Sequence, residues 1–482
     1  MRTLAPSFKI PSVSYIKEKL CLKYEVLSAS YKLRINRAPH ICLSMDIWTE
    51  TMSEKGFLGI TVHFLEGTSF VSTDIVIKQM CTNHTADNIK KAVIEALNEW
   101  DIDHTKVVSV VTDNGVNMVA AMRKTFENRR LPCFAHTLNL VTETTTSLDV
   151  IKVTISKVRG IVCYVKNSVN VSDRFRMIQS NNNVSEGNTK KLILDVKTRW
   201  NSTYYMIERF LEMRKVLIEL LIDDTASPSM PSSAEVEILR QLVTLLRPFE
   251  FLTKELSGDK YVTLSKIIPM INCLFLQISS FKCDVSEILS VKECFLKELK
   301  KRFGQIEQMS QVAIATILDP GFKNIHFQDP TACAKALSKI RSTISKNEAN
   351  AVECRNLDSN THELCEQQQK NTYNFWKHHK LLMFENPKKQ TNAGDELALY
   401  LTLPVSSLDS NPLEQWEDMR TVFPELYQQA RMYLVNMATS VPCERLFSKT
   451  GSIMTKKRNR LSAKYLQKLV FLGSLNENEW FE

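Results

Sequence analysis

The sequence predicts an α/β protein: a mixed sheet with helices on its faces, followed by a long helical stretch. Three observations predict it. Between residues 41 and 140, apolar β-rich runs come first in succession and then alternate with helical periodicity, in the order β-β-β-α-β-α-β-α. After Trp200, apolar residues recur at helical spacing for much of the remaining chain. Glycine is scarce, 12 in 482 residues, and no GxGxxG or GxxxxGK[ST] loop is present, which argues against the common nucleotide-binding α/β types.

Each element follows from local pattern. Residues 1–38 read as a helical lead, with Ile16, Leu20, Leu22, Tyr24 and Leu27 spaced among lysines. Ile41 to Trp48 is a buried strand that ends in an acid, Asp46. Gly56 to Leu65 and Phe70 to Ile77 form a hairpin around Glu66-Gly67. Thr85 opens a helix carrying Ile89, Ala92, Val93 and Leu97. Lys106 to Val111 is a β-branched strand closed by Thr112-Asp113-Asn114-Gly115, and a helix follows through Met118 and Met122. Leu131 to Phe134 is a short strand that leads into a helix around Leu138.

The second half is helical. Ser202 to Leu221 is amphipathic, and Ser232 with Glu235 forms a capping box for a helix through Leu239, Leu242, Leu246 and Phe249. Further helices run through 289–303 and 332–344. Residues 346–372 are polar and read as a loop or linker. Helices through 426–435, 441–448 and 463–472 close the chain.

Composition narrows the function. Lysine and arginine number 62 against 53 acids, a net charge of +9, which suits an anionic partner. The most apolar stretch, Ile267 to Ile278, is interrupted by Pro269, Asn272 and Gln277 and is too short to span a membrane. The N-terminal residues show no secretory apolar region. Twelve scattered cysteines without a CxxC pair indicate reduced thiols, hence cytosol or nucleus. Cys81 with His84, and Cys133 with His136, have half the spacing of a zinc site. Nothing completes either half, so no structural zinc is expected.

Seven segments, in order, resemble the transposase region of the hAT (hobo/Ac/Tam3) superfamily, particularly the BED-zinc-finger proteins derived from such elements. They are Ser44-Met45-Asp46-Ile47-Trp48-Thr49, Val111 to Met118, Cys133 to Leu140, Thr198-Arg199-Trp200-Asn201-Ser202-Thr203, Ile317 to Lys323, Ser440 to Ser448 and Lys457-Arg458-Asn459-Arg460-Leu461. The resemblance implies an RNase H-like core split by a large all-helical insertion, with a helical C-terminal dimerisation segment. The boundaries it suggests are 1–38 for the lead, 39–200 for the first part of the core, 201–395 for the insertion and 396–482 for the dimerisation region with the last core helix. Several positions depart from the family pattern. The BED finger that precedes such a core is not seen, Gln415-Trp416 stands for a Trp-Trp pair, and Met437 and Lys197 replace prolines. Cys443 replaces a serine. The lack of a reader finger implies a domesticated or truncated protein.

The same resemblance assigns candidate sites. Asp46, Asp113 and Glu444 match the three catalytic acids, which hold Mg²⁺ or Mn²⁺ in a site of hard oxygen ligands. By spacing alone the plain reading is favoured: Asp46 a strand-end acid, Asp113 a turn-starting or helix-capping acid and Glu444 a first-turn helix acid. Cys133 and His136 match a supporting motif beside the site; a buried cysteine and a helix-start histidine is the plain alternative. Arg199 and Trp200 match a pair that holds phosphate and stacks an extruded base. Lys456, Lys457, Arg458 and Arg460 form a basic run suited to nuclear import or phosphate contact. Leu461, Tyr465, Leu469 and Leu472 form a stripe that is core or dimer surface, and the family suggests dimer. The expectation is a nuclear, DNA-binding homodimer or larger homo-oligomer. The alternative is a metal-dependent nuclease that still cuts DNA.

Overall fold

Five strands build one sheet: Ile41–Glu50 (β1), Lys55–Glu66 (β2), Ser69–Met80 (β3), Val107–Thr112 (β4) and Arg130–Pro132 (β5). The computed structural model describes residues 11–50, 55–80, 83–182, 185–196, 200–222, 224, 226–347, 375–385, 396–454, 461–476 and 478–480. The strand order is β3-β2-β1-β4-β5. β1, β2 and β3 run antiparallel, while β4 lies parallel to β1 and β5 parallel to β4. Gly67 turns the hairpin with φ +58, a conformation that a side chain resists.

Helices cover both faces. On one face Leu43 and Met45 of β1 pack with Tyr31 and Ile35 of the helix Val13–Arg37 and Val93 of Ala86–Glu99. Met122 of Val116–Phe126 and Phe471 of Ala463–Ser474 complete that core. The Thr85 hydroxyl caps the second of these helices by accepting from the Asn88 amide at 3.4 Å. On the opposite face Cys42, Val111 and Leu131 join a larger core that runs into the helical stretch.

That stretch includes Trp200–Leu221, Ser233–Leu256, Ile267–Ser280, Ser286–Phe303 and Pro330–Asn347. The Ser232–Glu235 capping box is complete: the Ser232 amide donates to Glu235 at 2.8 Å and the Glu235 amide to the Ser232 hydroxyl at 3.2 Å. Pro269 sits in the first turn of its helix, where a missing amide costs nothing. Of the polar interruption expected over 346–372, Lys346 and Asn347 end a helix and the rest lies outside the described residues. Among the described residues no helix is long and apolar enough to cross a membrane.

The C-terminal stripe needs a correction at one position. Leu472 is 1% exposed, inside the chain's own core beside Phe471, so it is not a free dimer surface. Leu461, Tyr465 and Leu469 are half-buried. Leu461 packs against the small cluster of Phe57, Leu446 and Phe447. The helix reaches the sheet because its apolar face satisfies β3 and the N-terminal helix at once.

Candidate functional site

Strand register places the first two acids. Ser44 of β1 pairs with Val111 of β4 in parallel alignment. Asp46 and Asp113 each lie two residues further on, so the period of two puts both on the Ser44 face at the same end of adjacent strands. Asp113 follows the last residue of β4, and its carboxylate accepts from the Gly115 amide at 3.2 Å. Arg130 braces that turn. Its guanidinium donates to the Thr112 hydroxyl at 3.0 Å, the Asp113 carbonyl at 2.6 Å and the Asn114 side-chain oxygen at 2.7 Å.

Glu444 arrives from the far end of the chain, in the first turn of the helix Val441–Ile453. Gly59 lets that helix sit down on the sheet. It pairs with Asp46 across β1 and β2, and a Cβ there would stand 2.8 Å from Leu446 and Phe447. Three buried sulfurs hold the returning segment in place. The Met437 amide donates to Cys42 Sγ at 3.4 Å, the Ser440 amide to Cys133 Sγ at 3.3 Å, and Cys443 Sγ donates to the Ser44 carbonyl at 3.1 Å. Backbone adds the Phe134 amide to the Ala438 carbonyl at 3.1 Å, and the Ser109 hydroxyl donates to Asn436 at 2.5 Å. Burial pushes the thiol pKa values of all three cysteines up, so they stay protonated and serve as fasteners.

The result is a cleft of about 600 Å³ lined by Asp46, Trp48, His136, Asn139, Trp200 and Glu444, among others. Burial pushes the Asp46 carboxyl up to about 7. The charge of Asp113 adds to this, the Ile47 amide opposes it, and Glu444 raises it further. The Ile47 amide donates to Asp46 at 2.8 Å. Trp48 stacks between Phe57 and Phe447, each 5.8 Å away between ring centres. Trp200 is 7% exposed and meets Phe249 edge-on, so little of its indole faces the cleft. The Asn139 side-chain oxygen accepts the Trp200 amide at 3.2 Å and fixes the start of that helix.

Cys133 caps the helix Phe134–Thr146, its sulfur accepting the His136 amide at 3.5 Å, while the His136 side chain borders the cleft. Arg199 and the run Lys456, Lys457, Arg458 and Arg460 lie outside the described residues, as does Cys81. Gly59 and Arg130 carry no local motif, and only the fold reveals them; Asn139 lies in the Cys133 to Leu140 segment, but its bond to the Trp200 amide shows only in the fold.

A divalent cation suits this donor set in kind, since the acids offer hard oxygens and their mutual repulsion is what a cation relieves. Among the described residues, no three His, Cys, Asp or Glu side chains stand close enough to share one ion. Asp46 and Asp113 stand at the same end of neighbouring strands, and Glu444, on the helix Val441–Ile453, lines the cleft with Asp46.

Three family models match successive parts of the chain. A domain of unknown function, DUF659, matches 28–161; the ZBED1 RNase-like helical domain matches 131–245; and the hAT family C-terminal dimerisation region matches 396–474. The human zinc finger BED domain-containing protein 4 is 23% identical over 97% of this chain and 40% of its own length. The hobo transposase of Drosophila melanogaster is 24% identical over 54% of the chain and 37% of its own. The human zinc finger BED domain-containing protein 6 is 24% identical over 67% of the chain and 35% of its own. The chain thus spans less than half the length of these three relatives. It is a relative of the hAT transposases and of the BED-zinc-finger proteins, and residues 396–474 are a hAT-type dimerisation region.

Proposed function

We propose that the chain is a dimerising, DNA-binding relative of transposases that works in the nucleus, with DNA lying along the cleft bordered by β1 and the helices Phe134–Thr146, Trp200–Leu221 and Val441–Ile453. The observation that carries this reading is convergence. Asp46 feels the charge of Asp113, from the neighbouring strand, and of Glu444, nearly 400 residues on, at a cleft that Asp46 and Glu444 line together with Trp48, Trp200 and His136. We read the sheet as RNase H-like: three antiparallel strands followed by two parallel ones, with helices on both faces, support that reading. The match to an RNase-like helical domain supports it as well.

Positive charge flanks the cleft in sequence. Arg199 precedes Trp200, and Lys456 to Arg460 follow the helix that carries Glu444. Contacts of this kind are made mainly to phosphate, so binding is salt-sensitive and largely indifferent to sequence. The same basic run serves nuclear entry. The domesticated character of the protein belongs to this reading and rests on the departures at Gln415 and Met437.

A second reading, metal-dependent cleavage of DNA, is favoured by the raised Asp46 carboxyl. When bound, Mg²⁺ or Mn²⁺ activates a water and neutralises the leaving oxygen. Asp46 and Asp113 are the residues that would hold it, with Glu444 on the wall of the cleft, and Arg199 would position the strand.

Fluorescence anisotropy with unrelated duplexes tests the leading reading. Replacing Lys456, Lys457, Arg458 and Arg460 together by alanine should weaken binding to all of them by roughly tenfold or more at low salt. Binding that ignores salt, or its absence at low ionic strength, would remove DNA as the partner.

A further inference from the structure

The helix Val441–Ile453 carries three stripes of side chains, and each meets a different part of the molecule. Val441, Glu444, Ser448 and Gly451 line the cleft, one helical face at the usual spacing. Cys443, Leu446, Phe447 and Thr450 are buried, with Leu446 and Phe447 seated over Gly59 of β2. Arg445 and Lys449, about one turn apart, form the third stripe, and both are tied down. The Arg445 guanidinium donates to Asp259 Oδ2 at 2.6 Å and to the Ser257 carbonyl at 2.7 Å. The Lys449 ammonium stands 3.5 Å from Asp74 Oδ2 on β3, and the Thr61 hydroxyl donates to Asp74 Oδ1 at 2.9 Å.

The partners of Arg445 lie just after the helix Ser233–Leu256, in a stretch that grips the returning chain elsewhere as well. The Thr439 hydroxyl donates to the Leu256 carbonyl at 3.3 Å, and the Ala438 amide donates to the Thr263 hydroxyl at 3.0 Å. Ser257 itself lines the cleft with Glu444. The helical region of the chain therefore reaches the helix of Glu444 through residues 256–263.

We propose that the pairs Arg445–Asp259 and Lys449–Asp74 are a clasp that fixes the rotation and height of this helix, with Arg445 the positioning residue for Glu444. The clasp rests on reading Asp46, Asp113 and Glu444 as one cation-binding site. Apolar burial is non-directional, so it resists separation of the helix from the sheet but tolerates turning and sliding. Ion pairs to two separate supports, a loop and a strand, remove both freedoms. Their contribution to folding is small, because the Arg445 and Asp259 side chains are 44% and 32% exposed.

The test is Mn²⁺ binding to the full chain, read by electron paramagnetic resonance, with Asp46→Asn as the variant that locates the site. The sign of the change separates a clasp from a field acting at a distance. A field makes the two partners opposite: losing the Arg445 cation tightens Mn²⁺ binding, and losing the Asp259 anion weakens it. The clasp makes them alike. Arg445→Gln should weaken binding at least about threefold, and Asp259→Asn and Lys449→Gln should weaken it too. Arg445→Gln with Asp259→Asn should bind no more weakly than Arg445→Gln alone, and Arg445→Lys, which keeps the link to Asp259, should lose less. Tm should fall by no more than about 4 °C in each. Asp259→Asn, a nearly isosteric change, reads the same link should Arg445→Gln not fold. Tighter binding in Arg445→Gln or Lys449→Gln, unchanged affinity in the single variants, or additive losses in the double variant overturns the clasp, while loss in Asp46→Asn keeps the acidic site. A wild-type chain that binds no Mn²⁺ overturns the acidic site itself, and the role of the clasp with it.

Discussion

Two aspartates, one buried in the helical region and one half-buried at the cleft, show how differently this chain treats the same side chain. Asp319, in the helical region, is 5% exposed and fully served: the Ser265 hydroxyl donates to one oxygen at 2.5 Å and the Gly321 amide to the other at 2.9 Å. Nearby, Lys323 is buried as well, its ammonium donating to the carbonyls of Tyr400 at 2.8 Å and Leu403 at 2.6 Å. Asp46 has one amide donor and two acidic neighbours. Burial raises both carboxyls, but Asp319 is surrounded by donors and Asp46 by like charge. The first arrangement fastens a fold, and the second is the one we propose takes up a cation. The Ile317 to Lys323 motif is therefore architecture, while the Ser44 to Thr49 motif carries the chemistry we propose.

The largest expected effect falls on the architectural side. Asp319→Ala strands the Ser265 hydroxyl and the Gly321 amide and should cost about 2–4 kcal/mol in urea unfolding. Asp46→Asn should cost nothing at neutral pH. A severe loss of stability at Asp46, or none at Asp319, would dissolve the contrast.

Next comes the seat of the helix Val441–Ile453. Gly59→Val places a side chain against Leu446 and Phe447 and should destabilise by roughly 1–3 kcal/mol. Its sharper signature is at the cleft. With the helix displaced, Glu444 moves away, and the pH response of Asp46 weakens with it.

The pH response itself sharpens the comparison. The unfolded aspartate titrates near about 3.9, and the folded Asp46 near about 7. A folded value above the unfolded one favours the fold at low pH, and that advantage disappears as pH rises from about 4 through about 7. The Tm of Asp46→Asn should therefore gain on wild type across that window. Parallel Tm curves would show that the like charge on Asp46 is relieved in some other way. The smallest effect is expected at Cys443→Ser, where a hydroxyl keeps the donor to the Ser44 carbonyl and stability should change by less than about 1 kcal/mol.

The strands, the hairpin at Gly67 and the Ser232 capping box were legible because each is written in neighbouring residues. The acids were legible only through their likeness to a family, since a strand-end acid and a helix-start acid are common alone. What stayed hidden is what joins distant segments: Cys133 to Ser440, Cys42 to Met437 and Cys443 to Ser44 link positions 300 to 400 apart, to round figures. No periodicity records such pairings. The C-terminal stripe misled at Leu472 for a related reason, because an apolar helix face looks the same whether it meets its own sheet or a second chain.

The most direct test of the proposed acidic site is Mn²⁺ titration of the intact chain, followed by electron paramagnetic resonance at neutral pH. The account predicts saturable Mn²⁺ binding, competed by Mg²⁺ and lost in Asp46→Asn and Asp113→Asn, with the fold kept in both and Tm raised in Asp46→Asn. Equal Mn²⁺ binding by wild type and both variants would contradict it.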